Sequence, residues 1–153
     1  MATCSAIAVT HGTVVKGVYC HWDGYIDHNG VILQEHYDSA KANHLVALGD
    51  VSSLRPEIGE KHAFSQFELP KEEVEAFKAL TENWCTFYGR DRGETGTSWK
   101  VFADADEFMA HFDGCGCEYF YLMHEGVWYV NQYGRGWERL DKVIVGESVL
   151  QDA

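Results

Sequence analysis

Two stretches and a set of histidines carry the side chains that could do chemistry. The first stretch is Tyr19-Cys20-His21-Trp22-Asp23-Gly24-Tyr25, which gathers a thiol, an imidazole, an indole and a carboxylate where a β-forming run ends. A thiol beside a histidine suggests a nucleophile and its base, the equipment of a hydrolase or transferase. Adjacent strand residues point to opposite faces, so Cys20 and His21 do not meet easily, whereas His21 and Asp23 share a side and are expected to form an orienting hydrogen bond. The competing reading makes Cys20 a small core residue and lets Asp23 close a turn with Gly24.

The second stretch, Tyr88-Gly89-Arg90-Asp91-Arg92-Gly93-Glu94, places two arginines in a glycine-bracketed loop after Thr86, Phe87 and Tyr88. Guanidinium groups bind phosphate or carboxylate in a bidentate fashion and an adjacent ring can stack on a base, so Tyr88, Arg90 and Arg92, with Trp22, could hold a small nucleotide. The alternative is a local salt-bridge cluster in which Asp91 and Glu94 pair with the arginines and pin the loop. His28, His36 and His44 recur every eight residues, joined by His21 and Glu35. Imidazoles eight apart on a helix lie about 80° out of phase, so His36 and His44 read as core or rim histidines rather than metal ligands. Cys115-Gly-Cys117 is too tight for a zinc knuckle and has no second close pair. No Walker loop, Gly-x-Gly-x-x-Gly, Gly-x-Ser-x-Gly or His-Glu-x-x-His is present, so no metal, cofactor or catalytic set is assigned.

Composition narrows the partner. The chain has 153 residues, 46% of them hydrophobic, and a formal charge of −12 from 12 Lys and Arg against 24 Asp and Glu. Such a chain can bury a core and is not disordered. Its field repels nucleic acid and anionic lipid while suiting basic protein grooves, although solubility alone also favours such charge. Five cysteines, an odd number, with no secretory leader and no apolar run of spanning length fit the reducing cytoplasm.

The elements that must position these residues read as follows. β-Branched runs either side of His11-Gly12-Thr13 predict a hairpin from Ser5 to Trp22. Asp27 or Asn29 is expected to cap a helix with Ile32, Leu33, His36 and Tyr37 on one face. Asp38 or Ser39 is expected to cap a second, with Leu45 and Leu48 buried and Gly49 at its left-handed end. Asp50 to Leu69 reads as an irregular surface excursion with a short strand near His62 to Phe67. Pro70 opens an acidic helix with Val74, Phe77 and Leu80 as its stripe, and Trp84 to Tyr88 and Trp99 to Phe102 read as strands. Asp104 and Glu107 have capping-box spacing before Phe108, Met109 and Phe112. Glu118 to Met123 pairs across His124-Glu125-Gly126 with Val127 to Asn131, a hairpin with apolar residues on both faces. The fold class is therefore α+β over residues 1–153 as one domain, an antiparallel sheet with helices packed against it.

The stretches 19–25 and 88–94, with His28-Asn29-Gly30, His36-Tyr37, Leu48-Gly49-Asp50 and Ser52-Ser53-Leu54, resemble a family of small uncharacterised proteins of tailed bacteriophages and prophages. The resemblance covers most of the chain and implies no activity or catalytic residue. The acidic helix from Pro70 to Glu82 looks longer than the family pattern implies. Phage context implies an accessory protein of the host cytoplasm that binds a host defence or metabolic protein stoichiometrically rather than an enzyme. The acidic face and the Tyr119 to Trp128 rings would be its contact surface, with Tyr88, Arg90, Asp91, Arg92, Glu94, His21, Trp22, Asp23 and Tyr25 as candidate binding residues. A nucleotide-sequestering protein and a Cys20/His21-dependent hydrolase or transferase are the alternatives.

Overall fold

The computed structural model describes residues 3–63 and 69–144. Its N-terminal hairpin forms from the two β-branched runs: β1 (Ser5–His11) pairs antiparallel with β2 (Val14–Cys20), with Gly12 at φ +64 in the turn. A single turn of π-helix (Ile26–Gly30) leads into α1 (Val31–His36), followed by α2 (Ser39–Ala47) and β3 (Val51–Ser53). A 3-10 turn (Lys71–Glu73) after Pro70 opens α3 (Val74–Thr81). Then come β4 (Thr86–Phe87), β5 (Lys100–Phe102), α4 (Ala105–Asp113), β6 (Tyr119–His124), β7 (Val127–Gln132) and β8 (Trp137–Arg139).

One eight-stranded sheet runs β4-β3-β2-β1-β6-β7-β8, with β5 also on β2. The α+β class holds, and the sheet is mainly antiparallel with two parallel junctions, β1 on β6 and β2 on β3. Alternation along β1 serves both faces. Ile7 and Val9 join Leu33, Tyr37, Leu45 and Val46 under α1 and α2, while Ala6 and Ala8 face Phe108 and Phe112 of α4. Small residues there are a packing requirement, since a Cβ on Gly17, opposite Ala8, would stand 2.7 Å from the Phe108 ring. Full burial of Phe108 contributes about 1.5–3 kcal/mol, so the approach of α4 depends on those missing side chains.

Local signals explain most elements. Asp38 caps α2 by accepting the Lys41 N–H, and Gly49 lies beyond its end at φ +91. Asp104 caps α4 through the Glu107 N–H at 2.9 Å, while the Glu107 carboxylate accepts from Ala103 N rather than from the cap residue itself.

Other expectations need correction. Neither Asp27 nor Asn29 caps α1; Asn29 is buried inside the π-turn, and its side chain bonds the β2 end instead. Leu33 and Tyr37 are buried but His36 is exposed, because α1 stops one residue short of Tyr37. Asp50 to Leu69 is not wholly irregular, since Val51–Ser53 pairs with β2 and β4. The strand expected at Trp84 to Tyr88 is two residues long, with Trp84 making only an isolated bridge to Glu57. Val74 and Phe77 are half-buried; the Leu80 side chain and residues 64–68 of the strand expected near His62 lie outside the described residues. The hairpin of β6 and β7 forms, but three of its five rings are core and the other two, Tyr119 and Tyr129, are half-buried. Phe120, Tyr121 and Trp128 are each at most 3% exposed, because α1 and α2 cover one face and α4 the other, so this hairpin is not the aromatic contact surface.

Along one edge β2 changes partner, from β5 at Val15–Gly17 to β3 at Cys20. At the changeover the Asp50 carboxylate accepts the Tyr19 N–H at 3.0 Å. Burial is the main influence on Asp50 and raises its carboxyl above the usual range, against the Tyr19 N–H and the nearby Lys100 and His111, which lower it. A raised folded-state value means that the neutral form favours folding in acid and that this contribution is lost as pH rises through the folded value. Asp50→Asn keeps the acceptor and removes the half-buried charge. Thermal unfolding should show a higher midpoint near neutral pH, with the gain shrinking toward zero in acid; a variant less stable at every pH would show that the charge itself holds the junction.

Candidate functional site

The loop after β2 is built by buried contacts. His21 and Trp22 continue the strand by donating backbone N–H groups to Val51 and Ser52 carbonyls at 3.0 and 3.1 Å. Asp23, at φ +57, then turns the chain, and Gly24 donates its N–H to Thr3 O at 2.7 Å in a space where a Cβ would meet the Ser5 side chain and the Cys4 backbone within 2.9 Å. From inside, Tyr121 donates its hydroxyl to Gly24 O at 2.6 Å, and Asn29 Nδ2 donates to Trp22 O at 3.2 Å while reaching Ser5 Oγ and Cys20 Sγ, both at 3.4 Å.

This underpinning leaves Trp22 45% and Tyr25 39% exposed on a backbone that is held from beneath. His21 packs edge-on to Trp22 with centroids 4.7 Å apart, and Tyr25 packs against His28.

The catalytic arrangement does not assemble here. Cys20 is fully buried on the α1/α2 face, and burial pushes its thiol up to about 12. His21 lies on the other side of the strand, with Nδ1 2.8 Å from the Tyr19 hydroxyl, and the expected His21–Asp23 bond is replaced by one from Tyr25 OH to Asp23 Oδ1 at 3.2 Å. A neutral, enclosed thiol without a base in reach is not a nucleophile.

The Arg90 loop is a structural pin. Arg90 Nε donates to Asp91 Oδ1, Nη1 to the carbonyls of Ile58 and Gly59, and Nη2 to that of Cys85, all at 2.9–3.1 Å, with the guanidinium stacked on Phe87. Asp91, its side chain wholly buried, also accepts backbone N–H groups of Phe87 at 2.7 Å and His62 at 3.0 Å. His62 closes the cluster, both ring nitrogens facing carbonyl oxygens, Ala63 O at 2.8 Å and Cys85 O at 2.9 Å. Arg90 is thus taken up by internal acceptors, and the anion-binding pair reduces to Arg92, itself beside Glu94 at 3.3 Å, with Tyr88 half-buried. The sequence reading missed His62, because its partners come from a segment without periodicity.

His36 and His44 are both exposed rather than core, and among the described residues no three His, Cys, Asp or Glu side chains are grouped to hold a metal ion. A concavity of about 600 Å³ lies between the end of α1 and the turn of β6 and β7. Met123, Val127 and Trp128 contribute its apolar lining, and Glu35, Asp38 and Asp141 are its carboxylates, with Arg139 bound to Asp141 at 2.8 Å. Such a cavity suits a cationic side chain with an apolar stem.

No family model matches the chain, and comparison with curated proteins and with solved structures gives no match. No helix among the described residues is long and apolar enough to cross a membrane.

Proposed function

We propose that the chain is a bacteriophage-encoded accessory protein that binds a host protein stoichiometrically in the host cytoplasm, as an inhibitor in host takeover or anti-defence. The observation that carries the binding part is the Trp22 loop: an indole 45% exposed on backbone held from beneath by Asn29, Tyr121 and Gly24. Preorganised aromatic anchors supply binding energy without an ordering cost, and Trp and Tyr dominate interface hot spots. The formal charge of −12 and the carboxylate-lined concavity favour a basic partner surface. The phage origin and the host partner rest on the resemblance in sequence motifs.

Immobilised protein tests this in bacterial lysate. A partner retained at a fixed ratio should lose about tenfold or more in affinity with Trp22→Ala and weaken as salt rises, while the unfolding free energy stays within about 0.5 kcal/mol because the ring is not core. Retention unaffected by that substitution would contradict the proposal. The nucleotide-sequestering reading now rests on Arg92 and Tyr88 without Arg90. A nucleotide mass retained by the native protein and lost on Arg92→Ala would favour it instead.

A further inference from the structure

Three of the five cysteines lie at one end of the β1–β6 junction. The parallel register sets Ser5 beside Tyr119, and Glu118 N donates to Cys4 O at 3.3 Å, which brings the residue before β1 against the segment that enters β6. There Cys4 is half-buried, Cys117 is 3% exposed and Cys115 is exposed. Cys4 and Tyr19 both pack against the apolar cluster that contains Cys117. Tyr19 in turn meets His21 Nδ1 at 2.8 Å. Tyr19, Cys4 and Cys117 are thus neighbours in one cluster, with the half-buried His21 imidazole bound to Tyr19 at its edge.

We infer that Cys4 and Cys117 form a site of reversible oxidation that closes to a disulfide with hydrogen peroxide as oxidant. Cys4 is the first thiol to react because it is the more accessible of the pair. Its sulfur attacks a peroxide oxygen, an S–O bond forms as the O–O bond breaks, and Cys4 sulfenic acid and one water result. The Cys4 thiol proton ends on the hydroxide displaced from peroxide, making that water, and Tyr19, beside Cys4 and bound to His21, is the polar group placed to carry it. Cys117 sulfur then attacks the sulfenic sulfur, the S–S bond forms, the S–O bond breaks, and the departing hydroxide leaves as water with the Cys117 proton. Two thiols lose two electrons in total, and peroxide is reduced to two waters. Burial, with Cys4 beside it, holds the Cys117 thiol well above the usual range, so Cys117 does not react with peroxide itself and is oxidised only through the neighbouring Cys4, whose sulfenic sulfur replaces the missing activation by proximity. The same two influences raise the Tyr19 phenol, so it remains a neutral relay. Cys20 and Cys85 are fully buried and are internal controls.

The test is made on the purified, fully reduced chain. It is exposed to hydrogen peroxide, remaining thiols are alkylated, and cross-linked peptides are mapped by mass spectrometry. The expected product is a Cys4–Cys117 linkage with a loss of about 2 Da, reversed by dithiothreitol. It should form equally in Cys115→Ser and slow severalfold in Tyr19→Phe, and its closure should raise the unfolding midpoint of the oxidised protein. Oxidation confined to Cys115, or a Cys4–Cys117 linkage no faster than in chain unfolded by guanidinium, would overturn the inference. Because both results are read on the unsubstituted protein, neither depends on a cysteine variant folding.

Discussion

Asp91→Ala is expected to cost about 3–5 kcal/mol and so to leave the chain largely unfolded or with a much lower urea midpoint. The carboxylate is wholly buried and receives three donors, the Phe87 and His62 backbone N–H groups and Arg90 Nε. Truncation strands the buried Phe87 amide and the part-buried His62 amide and leaves the Arg90 charge, in a side chain only 14% exposed, without its counter-ion. The segment around Ile58 to His62 would come away from β4, since the Arg90 guanidinium that ties the two would lose its anchor. Asp91→Asn retains an acceptor and should cost less. An Asp91→Ala midpoint equal to that of the parent protein would refute the structural role of the loop and return Arg90 to the list of available anion ligands.

Gly49→Ala is the second large effect, expected above about 3 kcal/mol. A Cβ there would stand 2.3 Å from the Thr97 carbonyl oxygen at a backbone φ of +91. Thr97 cannot yield freely, because that oxygen accepts the Asp50 N–H at 2.8 Å, while Asp50 O accepts from Tyr88 N at 3.2 Å and Asp50 Oδ1 from Tyr19 N. One methyl group therefore disturbs the junction of β2, the Tyr88 segment and the loop before β5. Gly93→Ala separates the causes, since Gly93 has φ +77 but nothing within 4 Å of its added Cβ, and it should cost only about 1 kcal/mol. Equal costs in thermal or urea unfolding would show that backbone conformation alone explains Gly49.

These two sites mark where the sequence was legible and where it was not. Elements whose signals are local were readable. The hairpin turn at Gly12, the Asp38 and Asp104 caps, the Gly49 stop and the turn at Glu125-Gly126 each act within a few residues. The parallel contact of β1 with β6 joins segments at opposite ends of the chain and leaves no local trace. β3 and β4 are too short to show a period. The aromatic run of β6 signalled apolar faces correctly, but whether helices or a partner cover them depends on α4 packing against Ala6, Ala8 and Gly17, which no feature of that run specifies.

The same division runs through the candidate residues. Arg90 and Asp91 were readable as a pair because they are adjacent, whereas the carbonyls of Ile58, Gly59 and Cys85 that consume the guanidinium come from elsewhere. Cys20 and His21 were separated correctly by strand alternation, while the packing of Tyr19 and Cys4 against one cluster with Cys117 was not visible. Trp22 and Tyr25 remain at the surface because Asn29, Gly24 and Tyr121 use the inner side of their loop for structure.

Quantitative capture from bacterial lysate, run side by side with the parent protein and the Trp22→Ala/Tyr25→Ala double variant after both are shown to unfold at the same midpoint, tests the central claim most directly. The account predicts one protein held by the parent at fixed stoichiometry, released by salt, and reduced by about tenfold or more with the double variant. An identical retained set for both proteins, unchanged by salt, would contradict it.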